Sequence, residues 1–487
     1  MFIVMFVGLF TSRIILQTLG IDDYGIYNIV GGIIVLFSFI NNALRNATQR
    51  YISYELGKKE ESNWQKVLHV SITCHVFIAI IILILGETVG LWFLETKLNI
   101  PVDRMDAARV VYQFTIVTFI IHIFQVPYNA AIISHEKMSF YAYVSIIESG
   151  LKLLVAYAIV ISTKDKLIVY SAAIALLSLI ILFIYIYYCR SKLHSGLYRF
   201  DKDKGLFKSL MSFSGYSMFN GAANLFSQQG CNIFINLFNG VAANAAFGIA
   251  SQASSIIYSF VSNFQSAFQP QIVKLYASKE EEPLKLLLNR TSMISYYLLL
   301  VIAIPFCLEA EYVLHLWLGV VPNYSVSFCI LLLAFYLIEA ISAPLWMLIY
   351  ATGRIKFYTV WSAILVILNL PLSWVLLTLG YPIYIVFVVR VVISIVVSIA
   401  RLFHLAILEK FNVKSYIKQV VLPSCLTTFA AGALCITFKC VFTAIHPMVS
   451  IVYAIVISGV MIWIIGLRKA ERVFIINFVK NAVFRKR

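Results

Sequence analysis

The chain has 487 residues, of which 61% are hydrophobic and 12% are charged, and its formal net charge is +16. About a quarter of the residues of a soluble globular domain are charged, so this composition excludes a water-soluble protein and indicates an integral membrane protein. The apolar runs are long enough to cross a bilayer as helices of about 20 residues each. None shows the ~10-residue alternation of an outer-membrane strand, and we predict an all-α membrane fold.

Fourteen transmembrane spans are predicted, separated by short polar connections. Their approximate bounds are 1–19, 24–54, 64–94, 105–134, 138–161, 167–189, 209–238, 242–274, 284–314, 324–352, 357–379, 382–408, 415–438 and 447–467. The first apolar run has no basic leader and no small-residue cleavage site, so it is predicted to be a span and not a signal peptide.

Basic residues are concentrated on one predicted side of the membrane. If the N-terminus is cytoplasmic, 27 Lys and Arg lie in or beside the cytoplasmic connections and the C-terminal tail, and five lie on the opposite side. Those five are Lys97, Arg104, Lys164, Lys166 and Lys439. The positive-inside rule then predicts that both termini are cytoplasmic. Topology explains much of the net charge, and no nucleic-acid partner is needed.

An internal repeat relates the two halves of the chain. The segment SFINNALRNATQR begins at Ser38, and the similar segment SFVSNFQSAFQPQ begins at Ser259, at an offset of 221. This offset maps span 2 onto span 8 with the same orientation, which predicts two parallel six-helix bundles around a central cavity. The predicted regions are a bundle at 1–190, a cytoplasmic linker at 191–208, a bundle at 209–410, two additional helices at 411–468 and a basic cytoplasmic tail at 469–487.

Spans 1 and 2 carry cations where lipid-facing helices would be apolar. At 100° per residue, Ser38, Asn42, Arg45 and Gln49 fall on one face of span 2, which we call the span 2 polar face. An Arg near the bilayer centre costs at least ~2.5 kcal/mol, so we expect Arg45 to line a polar cavity. The alternative is that its side chain snorkels to the interface.

Two further Arg residues accompany this face. Arg50 lies off the face, and for it snorkelling is the stronger alternative to a role in the cavity. Arg13, in span 1, is predicted to line the same cavity, and a contact with Asp22 or Asp23 is its alternative.

Spans 5, 10 and 12 carry further charged residues. Glu148 and Lys152 are four residues apart in span 5 and are expected to form an ion pair. Glu339 in span 10 is an embedded acid that could titrate, bind a cation or neutralise an Arg, and Arg390 in span 12 is an embedded cation and a candidate cavity residue. Glu339, Glu148 and Lys152 are the candidate residues for ion coupling.

Spans 7 and 8 are polar without being charged. Candidate cavity residues are Gln229 and Asn232 in span 7 and Gln252, Ser259 and Asn263 in span 8. The eight Cys form no CxxC or Cys/His cluster, so neither a disulfide framework nor a metal site is predicted. No phosphate-binding glycine loop, nucleophile elbow or HExxH motif occurs, and we predict neither a cofactor nor an enzymatic activity.

Residues 12–60 and 214–280, which contain the two repeated segments, resemble the bacterial O-antigen and polysaccharide flippases. These belong to the multidrug/oligosaccharidyl-lipid/polysaccharide exporter superfamily and are related to the lipid II flippases. The resemblance covers about residues 1–410. It implies a multi-pass protein of the bacterial inner membrane that moves undecaprenyl-diphosphate-linked oligosaccharide from the inner to the outer leaflet. Cationic cavity residues hold the diphosphate in such families, and Arg13, Arg45 and Arg50 occupy plausible positions.

The resemblance also has departures and alternatives. Gln265 and Gln269 stand where some relatives place a basic residue, so the second bundle is expected to contribute less charge. A lipid II flippase and a multidrug/cation antiporter of the same superfamily are the alternative functions, and a membrane glycosyltransferase or polymerase is disfavoured by the short outer loops. The expected partners are the lipid-linked oligosaccharide, the bilayer and candidate polysaccharide assembly proteins, and the chain is expected to act as a monomer.

Overall fold

A computed structural model describes most of the chain. The described residues are 4, 7, 10, 11, 14, 15, 17–20, 23, 26, 27, 30, 38–58, 62–97, 100–201, 203–318, 321–442, 445–468, 471 and 472. Arg13, much of the first two predicted spans and nearly all of the basic tail at 469–487 lie outside them. The described chain divides into two compact units, Met1–Gly221 and Ala222–Arg487.

The first unit is built from long helices joined by short turns. They are α1 (Ser38–Gly57), α2 (Trp64–Leu85), α3 (Leu91–Lys97), α4 (Met105–Ser134), α5 (Met138–Ala158) and α6 (Lys166–Lys192), with a π-helical turn at Gly86–Gly90 and 3₁₀ turns at Val102–Arg104 and Ile159–Ile161. Its core joins α1, α2, α4 and α6 through buried residues that include Ile52, Leu68, Ile132 and Ile181.

The second unit continues from a helical run that begins in the first. The helices are α7 (Lys204–Ala277), α8 (Glu281–Leu308), α9 (Ala310–Leu318), α10 (Ser325–Thr352), α11 (Lys356–Ile367), α12 (Asn369–Thr378), α13 (Ile385–Glu409), α14 (Val413–Tyr416), α15 (Leu422–Val441) and α16 (Pro447–Met461), with π-helical turns at Ile417–Val421 and Ile462–Gly466. Phe247, Phe328 and Phe387 meet in its largest core, where the Phe328 and Phe387 ring centres are 4.6 Å apart.

A glycine interrupts the 74-residue run of α7. Gly240 has φ 74° and ψ −171°, a conformation in the left-handed half of backbone space that only glycine adopts without strain. No atom lies within 4 Å of the position that a Cβ would take at Gly240. The requirement for glycine therefore comes from the backbone, and the break separates the residues of predicted spans 7 and 8.

The all-α membrane fold is confirmed. Within the described ranges, ten helical segments are long and apolar enough to cross a membrane, and those ranges contain no strand. The predicted total of fourteen stays a prediction, because spans 1 and 2 lie partly outside the described residues and spans 7 and 8 share the polar run of α7. Many large apolar side chains are exposed, such as Phe183 and Leu176 on α6, as expected for helices that face lipid.

One ion cluster ties together three segments of the first unit. The Arg104 Nε donates to Asp23 Oδ1 over 2.8 Å, and Arg104 Nη1 donates to Asp165 Oδ2 over 2.7 Å. Asp165 also caps α6, accepting from the backbone N–H groups of Leu167 and Ile168. The Arg104 hydrogen bond, assisted by these backbone N–H groups, lowers the pKa of Asp165 below its ordinary value, and hydrogen bonds to the two carboxylates raise the pKa of Arg104.

Replacing Asp165 is expected to destabilise the first unit in a pH-dependent way. A carboxylate whose pKa is lowered on folding adds stability above its unfolded pKa of about 3.9, and this stability is lost as the pH falls through the folded value. Asp165→Asn keeps a capping side chain but loses the ion pair, whereas Asp165→Ala also loses the cap, which is worth about 1 kcal/mol. We expect the thermal unfolding temperature in detergent at pH 7 to be highest for the wild type, lower for Asp165→Asn and lowest for Asp165→Ala. The difference in unfolding temperature between the wild type and Asp165→Asn should shrink below pH 4. A difference that does not change with pH would contradict this account.

The predicted orientation can be tested with single cysteines in a background where the eight native Cys are replaced. Asn323 lies in a connection predicted to be outside, and Lys279 lies in one predicted to be cytoplasmic; both side chains are exposed. An impermeant thiol reagent should label Asn323→Cys in intact cells and should label Lys279→Cys only after permeabilisation. Labelling of Lys279→Cys from outside intact cells would show that the orientation is inverted.

Candidate functional site

The span 2 polar face lies on a continuous helix, because α1 runs unbroken from Ser38 to Gly57. Along this face the environment changes from open to packed. Asn42 is exposed, Arg45 is half-buried, and Gln49 is buried. Asn42 and Arg45 are therefore accessible to a ligand, whereas Gln49 lies within the packed protein.

Arg45 is the cation of this face. It forms no hydrogen bond or ion pair with another side chain among the described residues. Tyr185 of α6 lies close enough to interact electrostatically with Arg45, and also with Glu148. A half-buried guanidinium without a fixed anionic partner retains its five N–H donors for a ligand, and an anion bound there would offset the cost of placing a cation within the membrane.

Arg50 has a different environment from Arg45. It is only 7% exposed, and its guanidinium carbon lies 4.5 Å from the centre of the Tyr51 ring, 4.9 Å from that of Tyr54 and 6.0 Å from that of Phe213. Aromatic faces stabilise a desolvated cation by up to about 2 kcal/mol. The charge of Arg50 is thus covered by rings and not by water, and its predicted contact with substrate stays untested.

Buried hydroxyls fix the inner side of α1. Thr48 and Ser71 are joined by a 2.6 Å hydrogen bond, and Ser134 of α4 donates to the Gln49 carbonyl over 3.1 Å. Ser53 in turn donates to Ser134 over 3.0 Å. These bonds attach α1 to α2 and α4, which holds the polar face in a fixed orientation.

The predicted ion pair in span 5 is confirmed. Lys152 Nζ lies 2.6 Å from Glu148 Oε1 on α5. The pair leaves neither charge alone in the membrane, and whether it also takes part in ion coupling stays a prediction.

In the second unit, Glu339 is paired with an Arg that the sequence reasoning missed. Arg401 is 8% exposed, and its Nη1 lies 3.3 Å from Glu339 Oε2 and donates to Ser342 Oγ over 2.6 Å. Arg401 Nε donates to the Tyr358 hydroxyl over 3.0 Å, and Ser394 donates to Glu339 over 3.1 Å. Of the roles left open for Glu339, the structure shows neutralisation of an Arg.

Sequence analysis did not single out Arg401, which the structure places among buried polar groups. The sequence contained a pattern that could have identified Arg401 as part of a polar helix face. Arg390, Ser394 and Arg401 fall within about 40° of one another around a helix at 100° per residue, so together they mark one polar face of α13. Phe335, Glu339 and Ser342 form the matching face of α10.

Arg390 lies on this α13 face and is half-buried. Its guanidinium carbon lies 4.3 Å from the Phe335 ring centre, and no ion pair connects it to an acidic group in the part of the chain that the structure describes. Arg390 is thus a second cation with an aromatic neighbour, and its role in binding stays a prediction.

The uncharged candidates all lie on α7. Gln229, Gln252 and Asn263 are exposed, and Asn232 and Ser259 are half-buried. The structure brings Ser259 and Asn263 together, because the Asn263 side-chain amide donates to the Ser259 carbonyl. Nearby, sequence reasoning treated Gln265 only as a departure from relatives, and the structure shows it buried and donating to the Ala340 carbonyl over 2.9 Å.

Solved structures of membrane transporters share this fold. A MATE mutant aligns with a TM-score of 0.73 at 14% identity, covering 84% of this chain and 94% of that one. A MOP superfamily transporter from Pyrococcus furiosus Vc1, described as having a binding pocket of reverse polarity, aligns with a TM-score of 0.70 at 13% identity over 85% and 94% of the two chains. An outward-facing multidrug resistance MATE family transporter of the same superfamily aligns with a TM-score of 0.70 at 13% identity over 82% and 91%.

These likenesses define the chain as having the fold of the MOP superfamily transporters. A family model described as polysaccharide biosynthesis protein matches residues 1–276, which is more than half of the chain. The chain belongs to this family. No curated protein sequence matches it. The chain thus combines membership of a polysaccharide biosynthesis family with the fold of membrane transporters.

Breaking the Glu339–Arg401 pair is expected to destabilise the second unit. Removing one partner of a buried ion pair leaves a charge without compensation and typically costs about 3–5 kcal/mol, whereas removing both is often nearly neutral. Glu339→Gln and Arg401→Met should each lower the thermal unfolding temperature in detergent, and the double variant should recover much of the loss. The matched control is the exposed pair Arg109 and Glu95. The coupling free energy of this pair, measured from the two single variants and the double variant, should be below about 1 kcal/mol. A double variant as unstable as the sum of the singles would refute the coupling.

Proposed function

We propose that the protein is a flippase that moves undecaprenyl-diphosphate-linked oligosaccharide from the inner to the outer leaflet of the bacterial cytoplasmic membrane. The observation that carries the proposal is the half-buried Arg45, which lies beside Asn42 on a fixed polar face without an ion-pair partner among the described residues. It occurs in a chain of the polysaccharide biosynthesis family that has a transporter fold.

The chemistry of the substrate matches these side chains. A diphosphate is anionic, and an Arg guanidinium can hold two phosphate oxygens at once. Amide and hydroxyl side chains such as those of Asn42 and Ser38 can exchange hydrogen bonds with sugar hydroxyls. The sugar head cannot cross hydrocarbon unaided, and the prenyl tail stays in lipid while the head moves. Alternating access by rocking of two repeats is the general way in which such folds move a bound group across the bilayer.

The remaining candidates extend this proposal to the rest of the path. Arg13, Gln229, Asn232, Gln252, Ser259, Asn263 and Arg390 are proposed to contact the sugar or the diphosphate at other stages of transport. A multidrug/cation antiporter would instead need an acidic side chain free to bind a cation. The structure pairs Glu148 with Lys152 and Glu339 with Arg401, which favours an anionic substrate over a cationic one.

Replacing Arg45 should reduce export without preventing folding. Arg45→Ala removes a charge-assisted contact worth about 1.5–3 kcal/mol, which corresponds to roughly a 10- to 150-fold weaker interaction with the diphosphate. Arg45→Lys should restore export only in part, since Lys keeps the charge but lacks the planar fork. The measurement is export of lipid-linked glycan at matched protein levels in the membrane.

The control substitution is Lys58→Ala, which removes a cation from the C-terminal end of α1 where it pairs with Glu55 at 2.7 Å. It should leave export close to wild type. Wild-type export by Arg45→Ala would remove Arg45 from the substrate path. A loss of export caused only by absence of Arg45→Ala from the membrane would make Arg45 a structural residue.

A further inference from the structure

A groove at one end of the second unit lies between α11 and α13. Its volume is about 630 Å³, and its lining includes Phe357 and Val360 of α11 and His404 and Ile407 of α13. Phe357 is 72% exposed and Ile407 is 80% exposed. Such large exposed apolar surface on a membrane protein indicates contact with hydrocarbon and not with water.

Two cations line the same groove at the start of α11. Gly353 ends α10 with φ 76°, and the chain then passes through Arg354 to Lys356, the first residue of α11. Both side chains are exposed and line the groove, and neither forms an ion pair with a described acidic residue. The charge distribution predicts that this connection is cytoplasmic.

The N-terminus of α11 adds to the positive potential there. No side chain caps this helix end, and its first turn contains no acidic residue. The first N–H groups of a helix carry a partial positive charge that favours a bound anion and disfavours a cation such as Lys356. Two cations beside an uncapped helix N-terminus are electrostatically unfavourable by themselves, and an anion would reverse the sign of this interaction.

The buried residue His404, which also lines the groove, favours a bound ligand as well. His404 is 8% exposed and lines the groove, and its Nε2 has no hydrogen-bond partner among the described residues. Its ring lies near the aromatic rings of Phe357, Tyr358 and Trp361. A buried polar group without a hydrogen-bond partner is unfavourable, so a ligand that supplies a hydrogen-bonding oxygen would be stabilised here.

We propose that this groove is a binding site for an anionic glycerophospholipid of the cytoplasmic leaflet. The phosphate lies by Arg354, Lys356 and the first N–H groups of α11, an oxygen of the headgroup or ester region reaches His404, and an acyl chain covers Phe357, Val360 and Ile407. A free phosphate ion would satisfy the cations but leave the apolar lining exposed, which is why a lipid is the better occupant. None of these residues belongs to the proposed substrate path, so the inference does not depend on the flippase function.

The test measures lipid binding to the full-length protein, purified and delipidated in detergent, by native mass spectrometry. The probes are phosphatidylglycerol, phosphatidylcholine and inorganic phosphate. Basic residues near an anionic lipid surface attract it, so the loss of both cations in Arg354→Gln/Lys356→Gln should weaken phosphatidylglycerol binding at least about tenfold. Phosphatidylcholine binding should change little. His404→Phe, which preserves an aromatic ring, should also weaken phosphatidylglycerol binding.

The matched control is Lys410→Gln/Lys414→Gln, which removes two exposed cations from the same unit and the same predicted side of the membrane. It should leave phosphatidylglycerol affinity within about twofold of wild type, a change below ~0.5 kcal/mol. All variants should show wild-type thermal unfolding. An equal loss in the control, an unchanged affinity in Arg354→Gln/Lys356→Gln, or full displacement of phosphatidylglycerol by inorganic phosphate would overturn the proposal. The last result would identify a free-phosphate site.

Discussion

The cost of placing a charge in an apolar medium governs the arrangement of this protein's helices. Each of several cations within its spans meets a specific compensating group. Arg401 has the Glu339 carboxylate and two hydroxyls, Lys152 has Glu148, and Arg50 has aromatic faces. Because an uncompensated charge in the membrane costs at least ~2.5 kcal/mol, the contacts that join different helices, Arg401 with Glu339 and Arg50 with Phe213, favour the packing of those helix faces against one another.

Arg45 differs from these residues, because no ion-pair partner compensates its charge among the described residues. Its neighbours on α1 are attached by hydroxyl hydrogen bonds to α2 and α4, so the helix is held firmly while the guanidinium keeps its donors. A transporter needs a binding group that is positioned in advance yet not already neutralised by the protein, because a permanent salt bridge would compete with the substrate. The contrast between Arg45 and Arg401 thus separates a group suited to transient binding from one that stabilises the bundle.

The proposed lipid groove follows from the same principle at the membrane surface. There the cations Arg354 and Lys356 are exposed, and the compensating charge is expected from the bilayer itself. One chain therefore handles its positive charge in three ways, with internal acids, with aromatic rings and with anionic lipids.

Composition and periodicity by themselves determined the class of the protein. An apolar content of 61% leaves too little polar surface for water, and runs of span length can satisfy their backbone hydrogen bonds only as helices. The pairing of Glu148 with Lys152 was predictable too, because both partners lie one turn apart on the same helix. Residues 12–60 and 214–280, which contain the two repeated segments, were enough to indicate the superfamily.

Only the tertiary structure decided which charges on different helices neutralise one another. Glu339 and Arg401 are separated by 62 residues, and no local periodicity relates α10 to α13. The same holds for Arg50, whose third aromatic neighbour, Phe213, lies far along the chain, and for the groove between α11 and α13. Helical spacing fixes which residues share a face, whereas the partner of that face depends on how the helices pack. This is why the sequence identified the polar residues but not the compensating groups that lie on other helices.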